Sequence, residues 1–100
     1  MTNKEIIFET IKLLQSGVQK RKKCISTMQQ HYNDYKARLN SYNNVVIGKD
    51  LFAISMLELI REYLREEMRN AYKCWQELNE LQKQDTLLLK RAESNYNKEK

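Results

Sequence analysis

A seven-residue repeat of apolar side chains runs through the first half of the chain. Between residues 7 and 42 the gaps alternate between four and three residues, and Arg21 is the single polar residue at a repeat position. This spacing keeps one narrow face of a helix turned toward a partner helix, whereas an amphipathic helix on a globular core has a wider stripe of period 3.6. The sequence therefore predicts a coiled-coil helix. The apolar repeat positions are Ile7, Ile11, Leu14, Val18, Ile25, Met28, Tyr32, Tyr35, Leu39 and Tyr42.

The second half carries a broader apolar stripe that fits two adjacent heptad frames. A broad stripe covers a partner helix plus part of a second surface, or it marks a changing supercoil. One frame contains Leu57, Ile60, Leu64, Ala71, Cys74, Leu78, Leu81, Leu88 and Ala92; the other contains Ile54, Leu57, Leu64, Met68, Ala71, Trp75, Leu78, Leu89 and Ala92. Trp75 lies at the edge of the stripe, where it is either partly buried packing or an interface residue.

The scarcity of helix breakers predicts a chain that is nearly all helix. There is no proline and there are only two glycines, of which Gly17 lies off the repeat. We expect helices at about 4–42 and 51–95, joined by a loop at about 43–50. A short connection makes neighbouring helices antiparallel. The predicted fold is therefore all-α, a single antiparallel two-helix coiled-coil hairpin over residues 1–100. Residues 1–4 are expected to fray, and residues 91–100 are expected to extend past the first helix without a partner.

The predicted loop combines helix-stopping and apolar residues. Asn43 and Asn44 disfavour further helix, and Asp50 has the side chain of an N-cap. Val45-Val46-Ile47 is too short for a helix and is predicted to pack over the end of the hairpin. The alternative is an exposed apolar tip that meets a partner.

The net charge of +5 belongs to the first half of the chain. Residues 1–50 hold nine Lys/Arg against four Asp/Glu, whereas residues 51–100 hold nine of each. This asymmetry predicts an acidic protein or a nucleic acid as partner of the first helix. The run at residues 20–23 is either a solvated band or a docking patch. On the second helix we expect i,i+3 pairs Glu58–Arg61, Glu62–Arg65 and Glu66–Arg69, or an arginine row shared with an acidic partner. The candidate partner-binding residues are Lys20, Arg21, Lys22, Lys23, Arg61, Arg65, Arg69, Lys73 and Trp75.

The sequence offers no catalytic constellation, cofactor motif or metal-ligand spacing. Cys24 and Cys74 stand alone, so we expect reduced packing residues, which face each other if the helices fold back around residue 49. His31 lies about two helical turns from Cys24, too far for a nucleophile pair. No apolar run spans a bilayer and the N-terminus lacks a secretory signal, so we expect a cytosolic protein that is not an enzyme.

The order of features from Tyr32 onward resembles a known family. The features are Tyr32-x-x-Tyr35-x-x-x-Leu39-Asn40, a break containing Gly48, Leu51-Phe52 opening a helix with Leu57 and Ile60, a mixed-charge stretch, and Tyr72-Lys73-x-Trp75 before a leucine-rich end. This pattern is similar to the FliJ/YscO-type stalk proteins of flagellar and type III secretion (virulence) export machines, whose members are often longer at the C-terminus.

The resemblance implies a helical hairpin like the gamma stalk of rotary ATPases. It implies partners in the hexameric export ATPase, its regulator, the membrane export gate and export chaperones, at a cytoplasmic location beside the inner-membrane export apparatus. The residues alone leave two alternatives. One is a generic coiled-coil adaptor or secretion chaperone that holds a partner helix, and the other is a basic nucleic-acid-binding hairpin.

Overall fold

The computed structural model describes residues 1–46 and 48–98, and within them the chain forms two α-helices. Helix α1 spans Asn3–Asn43 and helix α2 spans Leu51–Lys98. The predicted helices agree with these bounds to within three residues at every end. Helix α1 runs through Gly17 without interruption.

The start of α1 is capped and the helix begins at Asn3, so the expectation that residues 1–4 fray is wrong for Asn3 and Lys4, which are helical. The Glu5 amide donates to Thr2 Oγ1 at 3.2 Å, and the Thr2 hydroxyl donates to the Glu5 carboxylate at 3.2 Å. Thr-x-x-Glu is the sequence signature of a capping box, which supplies acceptors for amides that have no partner inside the helix. The signature is present in the sequence at Thr2 and Glu5, and it fixes the first turn.

Asp50 caps α2 as predicted, but the preceding loop does not cover the apolar end of the helix. The Asp50 Oδ1 atom accepts hydrogen bonds from the amides of Phe52 and Ala53 at 3.0 and 3.2 Å. Val45 and Val46 are exposed, Val46 by 96%, so the prediction that they pack over the hairpin end is wrong. Ile47, the third residue of that segment, lies outside the described residues.

The chain divides into two compact units, of which unit 1 combines Met1–Ser26 with Gln76–Lys100. In unit 1 the Phe8 ring lies 5.9 Å from the Tyr96 ring, and Arg21 forms an ion pair with Asp85. Residue numbers rise on α1 as they fall on α2, so the helices are antiparallel. The prediction that residues 91–100 lack a partner is wrong for Ala92 and Tyr96, which are half-buried.

Unit 2 comprises Thr27–Trp75 and contains the connection between the helices. The Tyr32 and Tyr72 rings lie 5.9 Å apart, and the Arg61 guanidinium donates to the Tyr42 carbonyl at 2.9 Å. The helices are again antiparallel, and the last turn of α1 lies beside Arg61. The first ten residues of α2, 51–60, therefore extend past the end of α1. The prediction placed the overhang of α2 at residues 91–100, which is the opposite end of the helix from the one observed.

The heptad positions of α1 form its buried face, as the repeat predicts. Ile11 is buried and the other repeat positions are half-buried, apart from Tyr42, which is 36% exposed. On α2 the frame that contains Met68 and Trp75 faces α1, and Leu57, Leu64 and Ala71 are buried there. The members specific to the other frame are exposed; they are Ile60, Cys74, Leu81 and Leu88. The fold is therefore all-α, an antiparallel two-helix coiled-coil hairpin.

Neither helix, as far as the structure describes it, is long and apolar enough to cross a membrane.

Candidate partner-binding surfaces

Unit 1 contains a polar layer inside the apolar helix interface. Arg21 and Asp85 occupy equivalent positions of the two heptad frames and form a hydrogen-bonded ion pair, each about a quarter exposed. One turn away, Gln82 Nε2 donates to the Val18 carbonyl at 3.0 Å. Sequence reasoning placed Arg21 at the interface but missed Asp85 and Gln82, because polar residues do not count toward an apolar repeat. Arg21, predicted as a partner-binding residue, thus contacts the other helix of its own chain.

The other cations of the same run remain on the surface of unit 1. Lys20, Lys22 and Lys23 are exposed and lie at different angles around α1, since successive helical residues are about 100° apart. Unit 1 as a whole holds eleven Lys/Arg against seven Asp/Glu, and unit 2 holds seven against six. Four of the five net positive charges therefore belong to unit 1.

The charged rows of unit 2 form ion pairs along α2, though not all of the predicted ones. Glu58 pairs with Arg61 at 3.1 Å and Glu62 pairs with Arg65 at 3.3 Å, as the spacing predicts. Arg69 pairs with Glu62 at 3.3 Å rather than with Glu66, so the third prediction is wrong. Residues seven apart on a helix differ by only about 20° in direction, so Arg69 reaches back along one face.

Arg61 has a second role that its position in the row does not reveal. Its guanidinium also donates to the Tyr42 carbonyl in the last turn of α1, which accepts the Val45 amide at 3.3 Å as well. Arg61 is half-buried at the interface, whereas Arg65, Arg69 and Lys73 are exposed. The four cations therefore lie in two environments, and three of them are accessible to a partner.

A shallow groove in unit 2 lies beside this arginine row. Its apolar floor is formed by Tyr32, Leu39, Met68 and Tyr72, and Arg65 and Arg69 stand at its edge. Trp75 packs edge-on against Tyr72 with ring centroids 5.7 Å apart and is half-buried at the helix interface. Among the described residues its indole N–H has no hydrogen-bond partner. Trp75 therefore acts as a packing residue beneath the groove.

The cysteines and the histidine are all exposed side chains. Cys24 and Cys74 are free thiols and both are exposed, so the prediction that they are packing residues is wrong. Both occupy the position that flanks the interface rather than facing it. His31 is exposed and contacts Tyr35 edge-on at 6.4 Å. Within residues 1–46 and 48–98 no group of three or more His, Cys, Asp or Glu side chains could hold a metal ion.

The start of α2, near the loop, forms an exposed apolar patch of unit 2. Five large side chains on the outer side of the helix are exposed by between 38% and 73%. We call them the tip surface: Phe52, Met56, Leu59, Ile60 and Tyr63. Sequence reasoning considered an exposed tip only for Val45–Ile47. The apolar density of residues 51–63 was the available signal, because it exceeds what one interface can bury.

Comparison with protein-family models, with curated proteins and with solved structures gives no match. The resemblance to the FliJ/YscO-type stalk proteins stays a prediction.

Proposed function

We propose that this protein is a non-enzymatic helical adaptor that binds an acidic partner protein through unit 1. The observation that supports the proposal is that the cations at residues 20–23 lie in two different environments. Arg21 turns into the helix interface and pairs with Asp85, while Lys20 and Lys22 remain exposed. Arg21 stabilises the helix pair, whereas Lys20 and Lys22 face solvent, where charge complementarity selects and orients a partner.

The specific partner that we propose is the hexameric export ATPase of a flagellar or type III secretion apparatus. The antiparallel helix pair and the positive charge of unit 1 support this proposal, and so does the family resemblance. In this role the protein is the stalk that couples the ATPase ring to the export gate, on the cytoplasmic side of the inner membrane. Export chaperones are further proposed partners.

The test measures binding of the full chain to the purified export ATPase and the turnover of that ATPase. We expect the double variant Lys20→Gln/Lys22→Gln to bind about tenfold more weakly, with a smaller stimulation of turnover. The matched control is Lys83→Gln/Lys90→Gln, which removes the same charge from exposed positions of α2 in unit 1. Binding by the control variant should change little.

Three results contradict the proposal. Absence of binding at low salt removes the ATPase as partner, and equal weakening by both double variants removes the assigned surface. A gel shift with single- or double-stranded nucleic acid that persists without any protein partner favours the nucleic-acid alternative.

The groove of unit 2 supports a second candidate, a chaperone-like adaptor that holds a partner helix. An apolar floor with two arginines at its edge suits an amphipathic helix that carries a carboxylate beside its apolar face. The variant Arg65→Glu/Arg69→Glu tests this role and leaves Arg61, which supports the end of α1, in place. Loss of a secreted or adaptor partner with unchanged ATPase binding would favour this candidate over the stalk.

A further inference from the structure

The start of α2 carries more apolar surface than its own chain covers. Residues 51–60 extend past the end of α1, which lies beside Arg61. In this segment Leu57 is buried and Ala53 half-buried, while Leu51 and Phe52 are exposed along with most of the other large apolar side chains. A helix that is apolar on all sides is normally covered on all sides. The overhang therefore calls for a second covering surface.

The exposed residues are spaced for contact with another helix. Phe52, Met56, Leu59 and Tyr63 follow one another at gaps of four, three and four residues. This is the heptad spacing that keeps a stripe facing one partner helix. The stripe lies on the outer side of α2, away from the buried Leu57. Ile60 lies next to Met56 and Tyr63 and widens the stripe.

We propose that the tip surface binds the tip surface of a second copy of this chain, with the two α2 helices antiparallel around a two-fold axis. Residues whose numbers add up to about 115 then face each other, so Phe52 contacts Tyr63 of the second copy and Met56 contacts Leu59. Such an isologous contact uses the same patch twice and closes as a dimer.

The area of the tip surface is sufficient for this contact. At roughly 200 Å² for each fully exposed large side chain, the exposed fractions of the five residues amount to roughly 500 Å² per chain. The dimer then buries roughly 1,000 Å² in total, which is the lower limit for a specific interface.

The charges around the stripe also favour a second copy. Lys49 lies in the loop just before the Asp50 cap of α2. In the two-fold arrangement this end of one helix lies beside Glu66 of the second copy, so opposite charges lie near each other at both ends of the stripe. Glu58 and Glu62 are already paired with arginines of their own helix. Residues 49–66 hold three Lys/Arg against four Asp/Glu, so the overhang does not attract an anionic lipid surface.

The first experiment is sedimentation equilibrium of the full chain over a hundredfold range of concentration. We expect the average mass to rise from 12.1 kDa toward twice that value. The variant Leu59→Glu should weaken dimerisation by about tenfold or more, since it places a charge in the centre of the contact. The matched control is Leu87→Glu, because both leucines are 62% exposed and occupy the same heptad position of α2. Circular dichroism is the folding control, and both variants should keep the helical content of the original chain.

The second experiment tests the antiparallel pairing by exchange of the end charges. Lys49→Glu should weaken the dimer several-fold, and Lys49→Glu/Glu66→Lys should restore it. A chain that stays monomeric at every concentration overturns the proposal, as does equal weakening by Leu59→Glu and Leu87→Glu. Failure of the double exchange to restore the dimer overturns the antiparallel two-fold arrangement. If the chain is monomeric and floats with neutral phosphatidylcholine vesicles, and the Leu59→Glu variant does not float, the tip surface binds lipid instead.

These outcomes are independent of the proposed adaptor function, which rests on the lysines of unit 1. Export-ATPase binding that depends on Lys20 and Lys22 can hold for a monomeric chain, and dimerisation through Leu59 can hold without that ATPase. Failure of one proposal is therefore distinguishable from failure of the other.

Discussion

The ion pair between Arg21 and Asp85 is the pair of residues that most clearly fixes the register of the two helices in unit 1. Apolar heptads are nearly equivalent to one another, so two helices can slide by seven residues and still bury apolar side chains. A charged residue inside the interface removes this freedom, because every other register leaves Arg21 and Asp85 without their counterion. The Gln82 hydrogen bond to the Val18 carbonyl adds a second polar contact that depends on the same register.

Replacement of Arg21 by Leu is expected to lower the free energy of unfolding by about 1–2 kcal/mol, because Asp85 is left half-buried and unpaired. Both side chains keep some exposure to solvent, so the cost is smaller than for a fully buried pair. Urea denaturation followed by circular dichroism measures the change. The double variant Arg21→Leu/Asp85→Leu should recover the lost stability, since apolar replacements of an interior ion pair are often neutral or stabilising. A double variant that is less stable than Arg21→Leu alone would contradict this account.

The second prediction for a single residue concerns Gly17 and the stability of α1. It lies within α1, and a Cβ atom added there meets no atom within 4 Å. Gly17→Ala should therefore raise the free energy of unfolding by up to about 1 kcal/mol, the difference in helix propensity between the two residues. Gln15→Ala, at an exposed position on the same helix, is the control and should change it by less than about half as much. A destabilised Gly17→Ala variant would show that the glycine has another role.

At the scale of the helices, the sequence predicted α1 better than α2. The repeat of α1 identified its interface because each apolar position had a single frame to occupy. On α2 two frames competed, since Leu81 and Leu88 continue one stripe while Leu89 continues the other. The structure selects the frame that contains Met68 and Trp75, to which Gln82 also belongs, whereas Asp85 lies at a position that both frames share. Apolar periodicity alone could not reveal this, because both frames have apolar residues at most of their own positions and the polar Gln82 counts toward neither.

The pairing of the helices escaped prediction for a related reason. The helices were expected to pair directly from the loop at about 43–50, with the overhang at the C-terminal end of α2, whereas the contact between Arg61 and Tyr42 shows that α2 starts well before it meets α1. The sequence therefore identified which charged residues could bind a partner, but not which of them lie at the helix interface and which lie on the surface. Arg21 and Arg61 serve the helix pair, and Lys20, Lys22, Arg65 and Arg69 remain on the surface.

The heptad frame of α2 that faces α1 can be tested by comparing a buried leucine with an exposed one. Leu64 is 4% exposed at the interface, whereas Leu87 is 62% exposed on the outer side of the helix. Leu64→Ala should lower the free energy of unfolding by about 2–3 kcal/mol, the lower part of the range for buried leucines. Leu87→Ala should change it by less than about 0.5 kcal/mol, since exposed positions contribute little. Similar values for the two variants in urea denaturation would show that the frame is assigned wrongly.

For the whole molecule, the balance between buried and exposed surface determines how the protein behaves in solution. The chain exposes 7,830 Å², whereas a globular monomer of 12.1 kDa exposes about 6,000 Å². Among the described residues only Ile11, Leu57, Leu64 and Ala71 form a buried apolar core. A small core of this kind gives limited stability to an isolated chain. We therefore expect association with another protein surface to raise the stability of the folded chain.

This balance predicts that the thermal midpoint depends on protein concentration. If tip surfaces pair, dimerisation stabilises the folded state by mass action, and a hundredfold rise in concentration should raise the midpoint by roughly 5 °C or more. Leu59→Glu should have a midpoint that changes little over the same range, because its association is weakened, whereas Leu87→Glu should behave like the original chain. Differential scanning calorimetry at several concentrations makes the comparison. A midpoint that is independent of concentration in all three proteins would show that the hairpin folds and remains as a monomer. The excess surface of the overhang would then stay available to a different protein.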